Sequence, residues 1–438
     1  MNLFGTDGIR NRMGVFPFTP AALPLLGKAL ARWAVQKYGL KTTFLVASDT
    51  RASCDVIKSA LFSEFLHYPI KIYDLGVMPT PAVFGSMVEN KHYTCGIIIS
   101  ASHNTAQDNG IKLVDSVTGK LTQEDELLIS SLIVENDETY ENNTQSSYEL
   151  LPDAEKEYCS RITSLFKPDL LAGKKIILDC AHGATYRVAP TIFAALGADL
   201  VILNNEPDGY NINKNCGATH LTSLKEAVLT HSAFLGVAFD GDGDRFMGVT
   251  QSGEIRDGDD TLALLLTHPD YKGTQGVVST IMANHGLEAH LSSLNKKLIR
   301  TAVGDKHVLE GLKKHHLYLG GEPSGHTIIT PLISTGDGIL VALKVLETMI
   351  ITGNHSFATF EKYPQVSVYL PITLKKDLSL KPFTDYITAS KDRLKTGRLL
   401  IRYSGTEPLL RIMVEDKDSA LCSSIATELA HQLKPLLS

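Results

Sequence analysis

From residue 19 onward, short apolar runs alternate with stretches whose apolar residues recur at helical spacing. Thr19-Pro20 supplies an N-cap and a first-turn proline for a helix predicted to run to about Gly39. A strand at Thr43–Ala47 follows, then a helix around Asp55–Leu66, a strand near Ile70–Tyr73 and another at Gly96–Ser100. Alternation of this kind implies βαβ units and a largely parallel sheet. The polar, acidic stretch Glu135–Glu149 reads as a surface connection between domains. A second α/β unit opens with the apolar run ending at Asp179 and closes near Gly253. A third opens near Gly276 and closes with the helical pattern Gly338–Ile351. The remainder reads as strands at Gln365–Leu374, Arg398–Tyr403 and Leu409–Glu415, with a closing helix from about Ser419. The expected architecture is three related α/β domains with mixed, largely parallel sheets (1–150, 151–253 and 254–364). A small C-terminal α+β domain (365–438) completes it, all around one central cleft.

Composition narrows the class. A chain of 438 residues is too long for one core, which agrees with several domains. Hydrophobic content of 43%, charged content of 21% and mean hydropathy of +0.01 describe an ordinary globular protein. No apolar run reaches the roughly 18 residues of a membrane span, and no signal-like leader precedes Phe4, so a cytoplasmic location is expected. The six cysteines include no C-x-x-C pair and read as buried reduced thiols. A formal charge of -6 without a long basic run argues against a nucleic-acid surface, but a few local cations suffice for a phosphorylated small molecule.

A weak internal repeat accompanies the three α/β units. In each, an apolar strand runs straight into a loop rich in Gly, Ser or Asp. The three loops are Ala101-Ser102-His103-Asn104, Asp240-Gly-Asp242-Gly-Asp244-Arg245 and Gly321-Glu322-Pro-Ser324-Gly-His326. Ligands of open α/β sheets sit beyond the carboxyl ends of strands, so the three loops are expected to share one cleft.

The acidic loop is the most informative. Three carboxylates at alternate positions, separated by glycines, can fold onto one hard cation. An EF-hand register fails, because Arg245 and Gln251 stand where Gly and Glu are required. A dehalogenase-type Asp-x-Asp phosphatase loop fits less well than a metal cage, and a solvated acidic turn stands as the bland alternative. Ser102 follows a buried strand, so it should lie at a strand end and outside the core. Its hydroxyl can accept and return a phosphoryl group where charge is neutralised, with His103, Lys112 and Arg10 as the cationic or proton-transferring neighbours. Near the C-terminus, Arg402-Tyr-Ser404-Gly405-Thr406-Glu-Pro-Leu-Leu-Arg411 offers hydroxyls, a glycine and two arginines, a good anion cradle. Glu322 and Ser324 at i and i+2 suit adjacent sugar hydroxyls.

Taken together, these loops resemble the α-D-phosphohexomutase superfamily, and within it the bacterial phosphoglucosamine mutases most closely. The resemblance rests on Phe4-Gly-Thr-Asp-Gly-Ile-Arg10, Ser100-Ala-Ser-His-Asn104 with Asp108-Asn-Gly-Ile-Lys112, Asp240-Gly-Asp-Gly-Asp-Arg245, Gly321-Glu-Pro-Ser-Gly-His326 and Arg402-Tyr-Ser-Gly-Thr-Glu-Pro408. It spans essentially the whole chain. The loop Arg300-Thr-Ala-Val-Gly-Asp305 adds to the glucosamine-type likeness. Three positions depart from the usual pattern: Thr105 for Pro, Asn11 for Gly, and Pro323 for the Gln or Met that separates subfamilies.

The resemblance implies a four-domain, heart-shaped enzyme acting on a phosphosugar. Ser102 would be the phosphoserine, and its phosphate with Asp240, Asp242 and Asp244 would bind Mg²⁺. Arg10, His103 and Lys112 would serve the transfer. Glu322 and Ser324 would grip the sugar, and Arg402, Ser404, Gly405, Thr406 and Arg411 the non-reacting phosphate. Arg245 and His326 complete the substrate-binding set. The implied reaction interconverts glucosamine 6-phosphate and glucosamine 1-phosphate through a bisphosphate. A phosphomannomutase or phosphoglucomutase, a metal-dependent phosphatase and a non-catalytic sugar-phosphate-binding paralogue stay open as alternatives. A homodimer stays open as well, and neither a nucleic-acid nor a membrane partner is expected.

Overall fold

The computed structural model describes residues 3–5, 8–133, 146–404 and 408–437. The chain divides into two compact units, Met1–Met282 with Ile299–Ala358, and Ala283–Leu298 with Thr359–Ser438. In the first unit, strands β1 (Ile9–Arg12), β2 (Thr43–Ser48), β3 (Lys71–Val77), β4 (Cys95–Ile99), β5 (Asp108–Asp115), β6 (Gly119–Lys120) and β7 (Ser147–Leu150) form the first sheet. A second sheet contains β8 (Lys175–Asp179), β9 (Asp199–Leu203), β10 (Leu235–Phe239), β11 (Phe246–Thr250) and β12 (Ile255–Arg256). The third contains β13 (Gly276–Thr280), β14 (Lys297–Thr301), β15 (Leu319–Gly321) and β16 (Thr327–Ile329).

One strand order occurs three times: β5-β4-β2-β3, β11-β10-β8-β9 and β16-β15-β13-β14. The central strands pair in parallel, and each final strand returns antiparallel to its predecessor. The three polar loops noted in the sequence are these three antiparallel returns. Every residue of β2, β4 and β10 is buried, as helices on both faces require, which is why the runs are continuously apolar. An extensive core packs against the first sheet, around Leu26, Leu30, Trp33, Phe44, Ile57, Phe65 and Ile97.

The second unit carries the antiparallel sheet β17 (Gln365–Pro371), β19 (Leu409–Glu415), β18 (Arg398–Tyr403), in that spatial order, and the helix Ser419–Leu437. Exposure alternates along β17, as expected of a sheet with one solvated face. Ile412, Val414, Ile425 and Leu429 are fully buried in its core. The fold class is therefore as expected: three α/β domains with mixed, mostly parallel sheets, and a C-terminal domain on an antiparallel sheet.

The first helix spans Ala22–Tyr38 and starts later than the Thr19-Pro20 pair predicts. Capping is nevertheless present, because Thr19 Oγ1 accepts a hydrogen bond from the Ala22 amide at 3.1 Å. Strands β1 and β5 and the helix Thr80–Glu89 are additions to the expected elements. Asp108-Asn-Gly-Ile-Lys112, grouped above with the loops, is the first part of β5. Asn-Gly usually marks a turn. Here Gly110 lies in a strand, and glycine is needed there because a Cβ would stand 2.2 Å from the Ser100 carbonyl oxygen. Among the described residues no helix is long and apolar enough to cross a membrane, and the cysteines are unpaired.

A polar knot joins the first helix to the first sheet. Lys37 Nζ lies 2.6 Å from Asp115 and 3.0 Å from Asp125, Tyr38 donates to Asp115 at 2.5 Å, and the Trp33 indole donates to Asp125 at 2.8 Å. Burial pulls the Asp115 pKa upward, but hydrogen bonds from Lys37, Tyr38 and the Thr118 and Val117 amides outweigh it and hold the value at about 2. Asp125 is depressed in the same way, its burial outweighed by Trp33, Lys37 and Thr122. Because both folded values lie below the unfolded one, this stabilisation is complete above about pH 4 and lost as pH falls towards 2. Asp115→Ala is expected to destabilise the first domain by about 3 kcal/mol near neutral pH. Urea unfolding followed through Trp33, the only tryptophan, measures this, and the deficit relative to wild type should shrink on acidification.

Candidate active site

Ser102 lies just beyond the end of β4, as expected, but it is 1% exposed and not an open hydroxyl. The acidic loop covers it. Its φ of 52° is left-handed, a conformation unfavourable for a residue with a Cβ, so surrounding contacts must impose it. Those contacts are visible. The Ser102 amide donates to Ser100 Oγ at 2.9 Å, and its carbonyl accepts from Asn213 at 2.8 Å and Arg51 at 3.2 Å. Arg51 also donates to the carbonyls of Asn104 and Asp108 at 2.8 and 2.9 Å and to that of Thr105. Its own orientation is set by Asp49 at 2.9 Å, which in turn accepts from Ser100 Oγ at 2.6 Å.

Asp49, Arg51 and Asn213 are absent from the sequence-derived site. Asp49-Thr-Arg51 follows β2 directly, so the strand-into-polar-loop signature that singled out the other loops applies to it too. Asn213 gives no comparable signal, because only tertiary folding brings it to the serine loop.

The Ser102 hydroxyl donates to Asp240 Oδ2 at 2.7 Å. Lys112, on β5, reaches Asp242 and Asp244 at 2.8 Å each. Thr80, at the start of the helix Thr80–Glu89, donates its hydroxyl to Asp242 Oδ2 at 2.6 Å and its amide to the Asp242 carbonyl at 2.8 Å. Arg245 Nε stands 3.7 Å from Asp240 and 3.8 Å from Asp244. Burial, followed by repulsion from Asp244 and Asp242, drives the Asp240 pKa well up. Asp244 is also pushed up by burial, but Lys112, His326 and Arg245 overcome this and hold it well below the carboxylate range. His103 Nδ1 lies 3.3 Å from Ser102 Oγ. Burial first, then Arg245 and Arg10, push its pKa down to about 4, so the ring is neutral near pH 7.

The triad is chemically suited to a cation. One oxygen from each of Asp240, Asp242 and Asp244 falls within a cluster 4.8 Å across. Asp242 Oδ1 and Asp244 Oδ1 are buried with no hydrogen-bond partner. Orphaned carboxylate oxygens of this kind carry a large desolvation penalty that a hard, oxygen-ligated divalent ion removes.

The third loop adjoins the second. Arg245 and His326 form an isolated antiparallel bridge, and the Phe246 amide donates to the Gly325 carbonyl at 3.1 Å. Glu322 Oε1 accepts the Gly304 amide at 3.1 Å, Ser324 is exposed, and buried His326 stands 3.6 Å from Asp305. Arg10, on β1, pairs in register with Gly110.

In the second unit, Arg402 and Arg411 are direct cross-strand partners on β18 and β19, and Arg411 donates to Ser404 Oγ at 3.2 Å. Like charges directly opposed are unfavourable in a sheet unless an anion binds there. Lys375, missed in the sequence, donates to the Ser404 carbonyl at 3.1 Å. Gly405 and Thr406 lie outside the described residues.

Comparison with known proteins follows the same division. The phosphoglucomutase/phosphomannomutase alpha/beta/alpha domains I, II and III match residues 1–140, 156–253 and 257–365, and the family's C-terminal domain matches 374–432. The chain belongs to the phosphoglucomutase/phosphomannomutase family. It is a phosphohexomutase. A phosphoglucosamine mutase from Nitrosococcus oceani is 40% identical over 441 residues, covering 98% of this chain and 96% of that protein. Among solved structures, a phosphoglucomutase/phosphomannomutase family protein from Burkholderia thailandensis superposes with a TM-score of 0.83 at 22% identity, covering 99% and 97% of the two chains. The Aspergillus fumigatus N-acetylphosphoglucosamine mutase, solved with GlcNAc-6P and magnesium, gives a TM-score of 0.70 at 17% identity over 100% and 96%.

Asp242→Asn is expected to weaken divalent-cation binding by at least about tenfold, because it removes one of three formal charges facing a hard ion. Calorimetric titration of the purified protein with Mg²⁺ measures it. Equal affinity in wild type and variant would identify the triad as a turn held by Lys112 and Thr80.

Proposed function

We propose that this phosphohexomutase interconverts glucosamine 6-phosphate and glucosamine 1-phosphate through a phosphoserine at position 102 and a bisphosphate intermediate. The observation that carries the reading is the buried Ser102 hydroxyl, held 2.7 Å from the first carboxylate of the acidic triad. The full-length similarity to phosphoglucosamine mutases at 40% identity supports the sugar. Mg²⁺ is the cation assigned to Asp240, Asp242, Asp244 and the serine's phosphate, where it would offset charge on the transferring phosphoryl group.

The chain's own residues supply the rest. In the forward half, the bond between phosphorus and Ser102 Oγ breaks, a bond to the free sugar hydroxyl forms, and that hydroxyl's proton passes to a base. Lys112 and Arg10 are the cations assigned to the transfer, with Arg245 beside the triad. His103, neutral and 3.3 Å from Ser102 Oγ, is suited to holding a proton at that atom. The bisphosphate then turns end over end and returns its other phosphoryl group to Ser102. Arg402, Ser404 and Arg411, with Gly405 and Thr406, are assigned to the non-reacting phosphate in either orientation. Burial of Ser102 keeps water from the phosphoserine, whose hydrolysis would leave an inactive enzyme.

Sugar choice is assigned to Glu322, with Ser324 and His326 as neighbours in the loop. Pro323 offers no side-chain donor or acceptor, whereas the Glu322 carboxylate favours a protonated 2-amino group through a charge-assisted hydrogen bond.

Ser102→Ala is expected to abolish turnover while the protein stays folded, and intact-mass measurement should find one phosphate on wild type and none on the variant. Full activity in Ser102→Ala would end the phosphoserine reading. Glucosamine phosphates are expected to give at least about tenfold higher kcat/KM than glucose or mannose phosphates, a margin of about 1.4 kcal/mol. Glu322→Gln should erase much of that margin. A preference of the wild type for glucose or mannose phosphate would overturn the sugar assignment and leave the mutase chemistry standing.

A further inference from the structure

Two lysines cross in opposite directions between the first and third sheets' domains, within the first unit. Lys120, on β6, donates Nζ to Asp305 Oδ2. Lys306, in the first turn of the helix Asp305–His315, returns the contact by donating Nζ to the Leu121 carbonyl at 3.1 Å, with Glu126 3.9 Å away. The side chains of Lys120 and Asp305 are only 18% and 12% exposed, which sets this pair apart from a solvent-screened surface bridge. Beside them lies a small pocket of about 30 Å³, lined in part by Lys120, Leu121, Glu126 and Lys306.

The contact leads into the sugar loop. Asp305 opens its helix directly after Gly304, whose φ of 124° only glycine adopts readily. The Gly304 amide donates to Glu322 Oε1, and Asp305 Oδ2 also stands 3.6 Å from His326 Nε2. A pull on Asp305 is thus felt one residue away by the amide that orients Glu322, and directly by His326.

We infer that Lys120 is a positioning residue for the sugar site: through Asp305 and the Gly304 amide it fixes where the Glu322 carboxylate meets the substrate. The inference rests on the proposed role of Glu322, but not on which sugar that carboxylate selects. A lysine from the phosphoserine domain thereby tunes recognition by the sugar loop through a contact that spans 185 residues of chain.

The test uses the full chain with glucosamine, glucose and mannose phosphates assayed in parallel. Lys120→Met is expected to raise KM for the preferred sugar about tenfold with kcat changed far less, and to narrow the ratio between sugars. Phosphate content at Ser102 should match wild type, and Lys120→Arg should restore KM. Asp305→Asn provides a second route should Lys120→Met fold poorly. It should raise KM in the same direction, and the double variant should be no worse than the more impaired single one. Unchanged KM in these variants, or additive effects of the two, would overturn the inference whichever sugar is preferred. A wild type that prefers another sugar, with KM for that sugar still raised by Lys120→Met, would instead correct the sugar assignment and uphold the role of Lys120.

Discussion

Three carboxylates packed within a few ångströms of one another and out of water are the constraint on which the active domains are built. Such a cluster repels itself and forfeits hydration, so it exists only where cations and hydrogen-bond donors converge on it. Lys112 comes from the first sheet, Thr80 from a helix of the same domain, and Arg245 from the acidic loop itself. The Ser102 hydroxyl also donates to Asp240, which ties the serine directly to the acidic cluster. Charge placed at the serine and charge placed at the triad therefore bear on one electrostatic balance.

The threefold repetition of strand order explains how the parts converge. A parallel sheet buried on both faces delivers its strands' carboxyl ends to one edge, and the antiparallel return places a short loop there. Repeating that layout yields a serine loop, an acidic loop and a Glu-Pro-Ser loop of the same kind, differentiated by a few side chains. The loops are also fastened to one another. Gly338 donates to the Gly243 carbonyl at 2.9 Å, Thr80 to that of Asp242, and Arg245 bridges to His326. Displacing one loop must therefore disturb the next.

Much of this was legible in the chain. The continuous apolar runs into β4, β10 and β15, each followed by polar residues, announced buried parallel strands with functional loops. Alternating aspartates and glycines announced a candidate cation site, because glycines let three nearby carboxylates converge. What the pattern could not convey was the clamp around Ser102. Arg51 and Asn213 act on backbone carbonyls of a distant loop, and a carbonyl leaves no trace in the side-chain sequence. The glycine of Asn109-Gly110 within β5 is hidden for a related reason, since the demand for it comes from a neighbouring segment's backbone and not from a local turn.

The sequence by itself determined the family and the α/β and α+β composition of the domains, and it singled out Ser102, the acidic triad and the arginines near the C-terminus as candidates. These follow from local order, where residue type and spacing state the chemistry directly. Only tertiary structure decided that Ser102 is buried and held in a left-handed conformation, that Lys112 belongs to two aspartates, and that Lys120 reaches Asp305. Those facts are contacts between segments up to 185 residues apart. They arise from how sheets and helices pack, and packing is a property of the folded chain as a whole, which no local pattern of residues encodes.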